Sequence, residues 1–402
     1  MKSEDLKFVI VDYGAKYQFT HHLPIIEAYC NIIKSRGFDV DIYLTKHANR
    51  IAFDSLPGNK KYFLTGTVYT PSYKENFILA SLISLFNYFL KNKQGDNSFK
   101  KFLKICFSHR AKKALLKECK NNTRRIVVVF PTAEPVGIQL VRSLLSDSKG
   151  GIFIFKFRMV GGESRGFLSS ENELEELVKL VNIFPNKIQV GIETSSYKNY
   201  LLSKGFSSQN LEWSPWPPII KSDVKKIKAR NSVVLGFLGN AKARKGFSHI
   251  PDILRRYEKI NPHFTAIIQP AIFPWDGYFD ILKELSPLSS KIIYTDRDLN
   301  LQQLLQLVAN TNVLILPYDS TSYSINASGL LYHASDYNVP VITLKGVGFE
   351  AEVLEYNLGF VANSLQEMVQ QLNSLNHADF DFKSYRDARL KATQRFIFNV
   401  NK

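Results

Sequence analysis

Val313-Leu-Ile-Leu-Pro-Tyr-Asp-Ser-Thr-Ser-Tyr-Ser-Ile-Asn-Ala-Ser-Gly-Leu-Leu-Tyr-His-Ala-Ser-Asp-Tyr-Asn-Val-Pro-Val-Ile-Thr343 decides how the chain is read. Val313 to Leu316 is a short apolar run stopped by Pro317, which predicts a buried strand. The loop that follows is Asp, Ser, Thr, Tyr and Asn, with no apolar core to offer. Ser328-Gly329 then opens a segment with Leu330, Leu331 and Ala334 at helical spacing, and Pro340 to Thr343 supplies the next strand. Strand, polar loop, helix N-terminus and strand is how an α/β fold makes an anion site at the carboxyl edge of its sheet. The N–H groups around Ser328 and Gly329 would point at the anion, and the helix dipole would favour its charge.

The same alternation extends upstream. Strands are predicted at Val233–Leu238, Ala266–Ile268 and Lys291–Tyr294, with helices over Phe247–Asn261, Tyr278–Leu285 and Leu299–Asn310 and a terminal helix over Tyr385–Asn399. The first half repeats the pattern. Strands are predicted at Phe8–Asp12, Asp39–Tyr43, Tyr62–Thr65, Ile126–Phe130, Ile152–Phe157 and Lys187–Val190. Helices fall between them at His21–Ser35, Asn76–Lys91, Val136–Leu145, Glu171–Ile183 and Ser195–Lys204. Trp213-Ser-Pro-Trp-Pro-Pro218 separates the halves, because prolines so close together continue neither a helix nor an inner strand. The expected organisation is residues 1–218, a linker at 219–231, a second domain at 232–382, and a C-terminal helix at 383–402 that packs back on the first domain. The fold class is α/β, two Rossmann-like domains facing across a cleft.

The chain has 402 residues, 45% of them hydrophobic, enough for two cored domains. Cys30, Cys106 and Cys119 are scattered without a Cys-x-x-Cys, which argues against a disulfide framework or zinc site and fits a reducing, cytoplasmic setting. The N-terminus runs straight into a strand, so no signal peptide is expected. A formal charge of +16 suits nucleic acid, anionic lipid or a phosphorylated substrate. Phe99 to Lys120 concentrates Lys and Arg. Phe99, Leu103, Cys106, Phe107 and Arg110 recur at helical spacing there, which predicts a basic amphipathic helix able to lie on an acidic membrane surface or to pack on its own domain. No helix-turn-helix or aromatic RNA-binding segment is visible, so nucleic acid is not an expected partner.

Gly239-Asn-Ala-Lys-Ala-Arg-Lys-Gly246 sits between a strand and a helix and places Lys242, Arg244 and Lys245 between two glycines. Glycines let the backbone approach a phosphate, and the cations neutralise it. The loop is neither a P-loop nor a Gly-x-Gly-x-x-Gly fingerprint. It resembles the Gly-x-x-Arg-x-x-Lys-Gly loop of GT-B glycosyltransferases, especially the retaining family 4. Leu316-Pro-Tyr-Asp-Ser-Thr-Ser-Tyr-Ser-Ile-Asn-Ala-Ser-Gly329 resembles the donor-site segment Leu-Pro-Tyr-Asp-x-x-x-Tyr-x-x-Arg-x-Ser-Gly of some bacterial members. The likeness covers Val233 to about Leu372; the first half fits in architecture only.

The resemblance implies a GT-B fold and transfer from a nucleotide sugar to a glycan, lipid-linked or other hydroxyl acceptor, with retention. It implies diphosphate contacts from Lys242, Arg244, Lys245, Ser328 and Gly329, and nucleoside or sugar contacts from Tyr318, Tyr323, Asn326 and His333. Asn326 stands where the family has Arg, and His333 where it has a Glu that binds ribose hydroxyls. Those departures keep a catalytically silent binding subunit open as an alternative, beside an epimerase or hydrolase on the same fold. On the acceptor side, Gly14, His21 and His22 sit at the first strand-to-helix junction, where a histidine could take the acceptor proton. Glu134 follows the Ile126–Phe130 strand as a further catalytic candidate, and Arg158 and Arg165 flank Val160-Gly-Gly-Glu-Ser164, a candidate cleft lip. Asp39-Val-Asp41, Asp296-Arg-Asp298 and Asp379-Phe-Asp381 mimic a metal-binding Asp-x-Asp without its strand-end setting, so no metal or other cofactor is expected.

Overall fold

The computed structural model describes residues 6–13, 22–45, 48, 50–64, 97–120, 124–133, 135–147, 152–159, 171–225, 232–375 and 378–400. Two parallel sheets organise them. The first has seven strands in the order β3-β2-β1-β4-β5-β6-β7. These are β1 (Leu6–Asp12), β2 (Val40–Thr45), β3 (Asn59–Leu64), β4 (Arg125–Phe130), β5 (Phe153–Met159), β6 (Ile188–Ile192) and β7 (Leu211–Trp213). The second has six, ordered β10-β9-β8-β11-β12-β13. Its members are β8 (Val233–Phe237), β9 (Phe264–Ile268), β10 (Ile292–Tyr294), β11 (Val313–Leu316), β12 (Val341–Leu344) and β13 (Gly359–Ala362). Every strand pair is parallel, and helices cover both faces, which is why β1, β4 and β11 are almost continuous apolar runs.

In each sheet the order reverses beside the first strand, at β1/β4 and β8/β11. Ligands of such sheets bind outside the carboxyl ends of the strands at that reversal. The Gly239 loop leaves β8 and the Tyr318 loop leaves β11, so the topology brings these two stretches to one sheet edge.

Several elements differ from the sequence reading. β7 and β13 were not predicted. The helices Glu350–Glu355 and Leu365–Asn373 also extend the second domain beyond the last predicted strand. The Asn76–Lys91 helix lies outside the described residues. The basic helix exists as Asn97–Lys120, and the buried row among its described side chains is Ser108, Ala111 and Leu115. Arg110, expected on the apolar row, is exposed with His109, Lys113 and Lys117. The helix packs on Pro135–Leu145 and is tied to the sheet through Glu118, which takes Lys7 at 2.5 Å and Lys61 at 2.7 Å. Asp41, half of one Asp-x-Asp pair, is held by the same lysines at 3.0 and 3.1 Å.

The domains are joined by the proline-rich linker after β7 and by the terminal helix Phe382–Phe398. That helix begins against the second domain, where Phe382 and Tyr385 are in its core, and ends with Phe396 and Ile397 in the core around Phe8 and Ile10 of the first. Across the interface Thr194 donates to the Ile325 carbonyl at 3.1 Å, and Lys221 pairs with Glu27 at 2.7 Å.

Candidate functional site

The Gly239–Gly246 loop is shaped by its backbone. Gly239 (φ 90°) and Gly246 (φ 70°) are left-handed, and Asn240 joins them at φ 60°. A Cβ on Gly246 would lie 1.7 Å from the Pro317 carbonyl oxygen, so only glycine lets this loop close against the end of β11. Gln269 fixes the other end, its side-chain oxygen accepting from the amides of Gly239 (2.6 Å) and Asn240 (3.0 Å). Between the glycines Ala243–Lys245 forms a 3-10 turn, and the Asp319 amide donates to the Arg244 carbonyl at 3.1 Å. The two loops are therefore one unit.

That turn aims Lys245 inward. Its Nζ donates to the Gly239 carbonyl and lies 5.8 Å from the centre of the Tyr318 ring. Burial, then the neighbouring Lys242 and Arg244, push its pKa down to about 7. Lys242 is exposed, and Arg244 lies 5.6 Å from the Tyr323 ring centre. Tyr318 and Tyr323 pack together with ring centres 4.5 Å apart. Asp319 caps the short helix Ser320–Tyr323, accepting from the Ser322 and Thr321 hydroxyls at 2.6 Å each, and these bonds hold its pKa down at about 2.

Opposite Lys245 the helix Gly329–Asp336 begins at Ser328, whose side chain makes no capping hydrogen bond. Its first amides are left for a ligand or solvent. Gly329 lets the Trp216 ring approach closely, since a Cβ there would come 3.1 Å from it and push the indole back by a few tenths of an ångström. One turn on, His333 is buried, its ring meeting the Trp216 indole edge to face at 5.8 Å, and its Nδ1 has no hydrogen-bond partner. Burial, with Arg389 nearby, drives its pKa down to about 3, so the imidazole is neutral. Asn326 is buried as well; its amide nitrogen donates to the Ser322 carbonyl at 3.0 Å and its oxygen is unpartnered.

Of the predicted donor-side residues, Lys245, Ser328, Gly329, Tyr318, Tyr323 and His333 line one cleft of ≈ 230 Å³ between the domains. Lys242, Arg244 and Asn326 are outside its lining. Pro24, Trp216 and Leu304 are among the other lining residues, none of them expected at the site from the sequence. In the sequence Trp216 marks only a domain boundary, and nothing in its local sequence shows it facing a ligand.

On the first domain, Gly14, His21, Glu134 and Arg165 lie outside the described residues. His22 is buried with Nδ1 2.9 Å from the Asp12 carboxylate, two residues before the cleft-lining Pro24. Arg158 is not on a lip loop. It lies in β5, fully buried, paired with Glu193 and donating to the Ser214 and Pro131 carbonyls. Its charge is satisfied by groups distant in sequence, which a reading of its neighbours could not reveal. Among the described residues no three His, Cys, Asp or Glu side chains gather as a metal site would require.

No family model and no curated protein matches the chain in sequence. Solved structures match it over nearly its whole length. HepE of Anabaena in complex with UDP is 16% identical, with a TM-score of 0.59 over 98% of this chain and 97% of that one. Sucrose-phosphate synthase from Thermosynechococcus elongatus is 12% identical, with a TM-score of 0.58 over 96% and 94%. A glycosyltransferase from Rickettsia africae is 12% identical, with a TM-score of 0.55 over 98% and 94%. With its two facing parallel-sheet domains, the chain has the GT-B fold.

Proposed function

We propose that the chain is a glycosyltransferase that moves a sugar from a nucleoside-diphosphate sugar to a hydroxyl of a glycan, glycolipid or other acceptor, with retention. The observation that carries this reading is the convergence of Lys245 and the uncapped helix N-terminus at Gly329 on one interdomain cleft. A leaving nucleoside diphosphate needs those groups. As the bond between the anomeric carbon and the phosphate oxygen breaks, its electron pair passes to that oxygen. An ammonium and amides already aimed there stabilise the growing charge. The acceptor oxygen bonds to the same carbon, and its proton passes to the departing phosphate. Tyr318, Tyr323, Asn326 and His333 would hold the nucleoside or sugar. His22, oriented by Asp12, is the first domain's described candidate for acceptor contact. Lys245 and the amides at the helix N-terminus supply the stabilisation, so the reading requires no metal, and transfer should persist in EDTA.

An epimerase or hydrolase would need a carboxylate at the sugar, and none of the described lining residues is Asp or Glu. A silent binding subunit is the second reading, favoured by Asn326 and His333. The exposed row His109, Arg110, Lys113 and Lys117 supports peripheral docking on an anionic membrane surface at the cytoplasmic face. No helix among the described residues is long and apolar enough to cross a membrane.

Thermal shift with nucleoside diphosphates tests the proposal, since a ligand of the folded form raises the midpoint. No shift with any of them at millimolar concentration removes it, as does unchanged affinity in Lys245→Ala. Binding of a sugar nucleotide without transfer to any hydroxyl acceptor selects the silent subunit, and the anomeric configuration of the product tests retention.

A further inference from the structure

Trp216 belongs to the linker between the sheets, yet it walls the cleft. Its indole packs against both domain cores, 5.5 Å from the Tyr332 ring centre and close over the first residue of the Gly329–Asp336 helix. The main chain around it is fixed from two sides. Arg158 of β5 donates to the Ser214 carbonyl at 3.2 Å, and Arg389 of the terminal helix donates to the carbonyls of Trp216 (2.8 Å) and Pro217 (3.1 Å). Both guanidinium groups are fully buried, and each has its own carboxylate, Glu193 and Asp336. With Pro215, Pro217 and Pro218 restricting the backbone, the indole is held before any ligand arrives.

The domains to which the lining residues belong say what Trp216 would meet. The cleft that holds Lys245 and the start of the Gly329 helix is walled by Leu299, Leu301 and Leu304 of the second domain, by Pro24 of the first, and by Trp216, whose indole also packs on the first domain's core. A nucleoside-diphosphate sugar carries nucleoside and sugar at opposite ends of its diphosphate. The sugar end must face the domain that brings the acceptor, and of the lining residues Pro24 belongs to that domain and Trp216 packs on its core. A pyranose presents an apolar C–H face, which a half-buried aromatic ring can cover while the hydroxyls stay in polar surroundings.

Resting on the nucleotide-sugar reading of this cleft, we infer that Trp216 is a positioning residue for the transferred sugar, its linker-borne indole taking the C–H face of the pyranose beside the diphosphate. The linker is then part of the binding site as well as the connection between domains.

The test is calorimetric titration of ADP, GDP, TDP and UDP, and of their glucose conjugates, into wild-type protein, Trp216→Leu and Trp216→Phe, with folding checked by thermal midpoint. The expected result is that Trp216→Leu keeps the affinity for the free diphosphate and loses about tenfold for the conjugate, while Trp216→Phe keeps most of both. Equal weakening of diphosphate and conjugate in Trp216→Leu, or no change in either, overturns this inference and leaves the cleft assignment standing. Failure of wild-type protein to bind any of the nucleotides overturns the nucleotide reading and this inference with it.

Discussion

Lys245 makes the proposed phosphate site testable without a known substrate. Its ammonium is enclosed between the Gly239 carbonyl and the Tyr318 ring, and burial with its cationic neighbours brings its pKa from 10.5 down to about 7. A diphosphate in the cleft sets negative charge against it and favours the charged form, so the pKa rises on binding. The sign follows. Below about pH 7 the empty protein already carries the charge, so Lys245 adds no pH dependence of its own. Above it the complex holds a proton that the empty protein has lost, so affinity falls by up to about tenfold per pH unit until the pKa of the complex is passed. At about pH 8 roughly nine-tenths of the empty protein has a neutral Lys245, so close to one proton is drawn from solution per ligand bound. The ligand's terminal phosphate ionises near about pH 6 and contributes little there. Titration in two buffers of different ionisation enthalpy counts the proton directly. Lys245→Arg keeps a charge that does not titrate, so it should retain binding and lose the uptake. Tight binding with no uptake in wild-type protein at about pH 8, or uptake that survives in Lys245→Met, refutes the reasoning.

Arg389→Met leaves Asp336 buried with its ion-pair partner gone and frees the carbonyls of Trp216 and Pro217, so a loss of about 3–5 kcal/mol is expected in urea denaturation. Adding Asp336→Asn should recover part of it. Glu352 is buried where the second domain meets Ser195, and burial pushes its pKa up from 4.5 to about 7. The unfolded chain releases this proton first, so the group's contribution is fully present at low pH and is lost as pH rises from 4.5 through about 7. Glu352→Gln should flatten that slope and raise the thermal midpoint at about pH 8; a midpoint that falls there contradicts the assignment. Replacing Lys113 and Lys117 by Gln should weaken flotation with anionic liposomes by up to about 30-fold, at about 1 kcal/mol for each exposed charge. Unchanged flotation would remove the membrane-docking reading.

The opening stretch was legible because its parts are short and unambiguous. Val313–Leu316 is four buried apolar residues ended by a proline, and Ser328-Gly329 starts the helix where a free N-terminus was expected. β7 and β13 escaped for the opposite reason. Leu211–Trp213 is three residues at the sheet edge with Glu212 in the middle. Gly359–Ala362 starts with a glycine whose Cβ would lie 1.8 Å from the Val341 carbonyl oxygen. Neither carries the alternation or length that marks a strand in sequence. Arg158 shows a different limit. Charge beside a glycine-rich loop suggests an exposed lip, but Glu193, Ser214 and Pro131 converge on it only after folding.

Trp216 shows why half of the cleft could not be read in advance. Its prolines announce a boundary, and boundaries are expected to be solvated and uninvolved. Here the boundary is organised by the same helix that offers the anion site. Gly329 opens that helix at the cleft, and Asp336 closes it by receiving Arg389 and the Ile219 amide at 2.9 Å each. The arrangement also suits the helix dipole, with its positive end toward the anion and a guanidinium at its negative end. One eight-residue helix therefore connects phosphate site, linker and terminal helix. The anion site of the second domain and the linker that carries Trp216 thus share one structural support, the Asp336–Arg389 pair at the far end of the same helix.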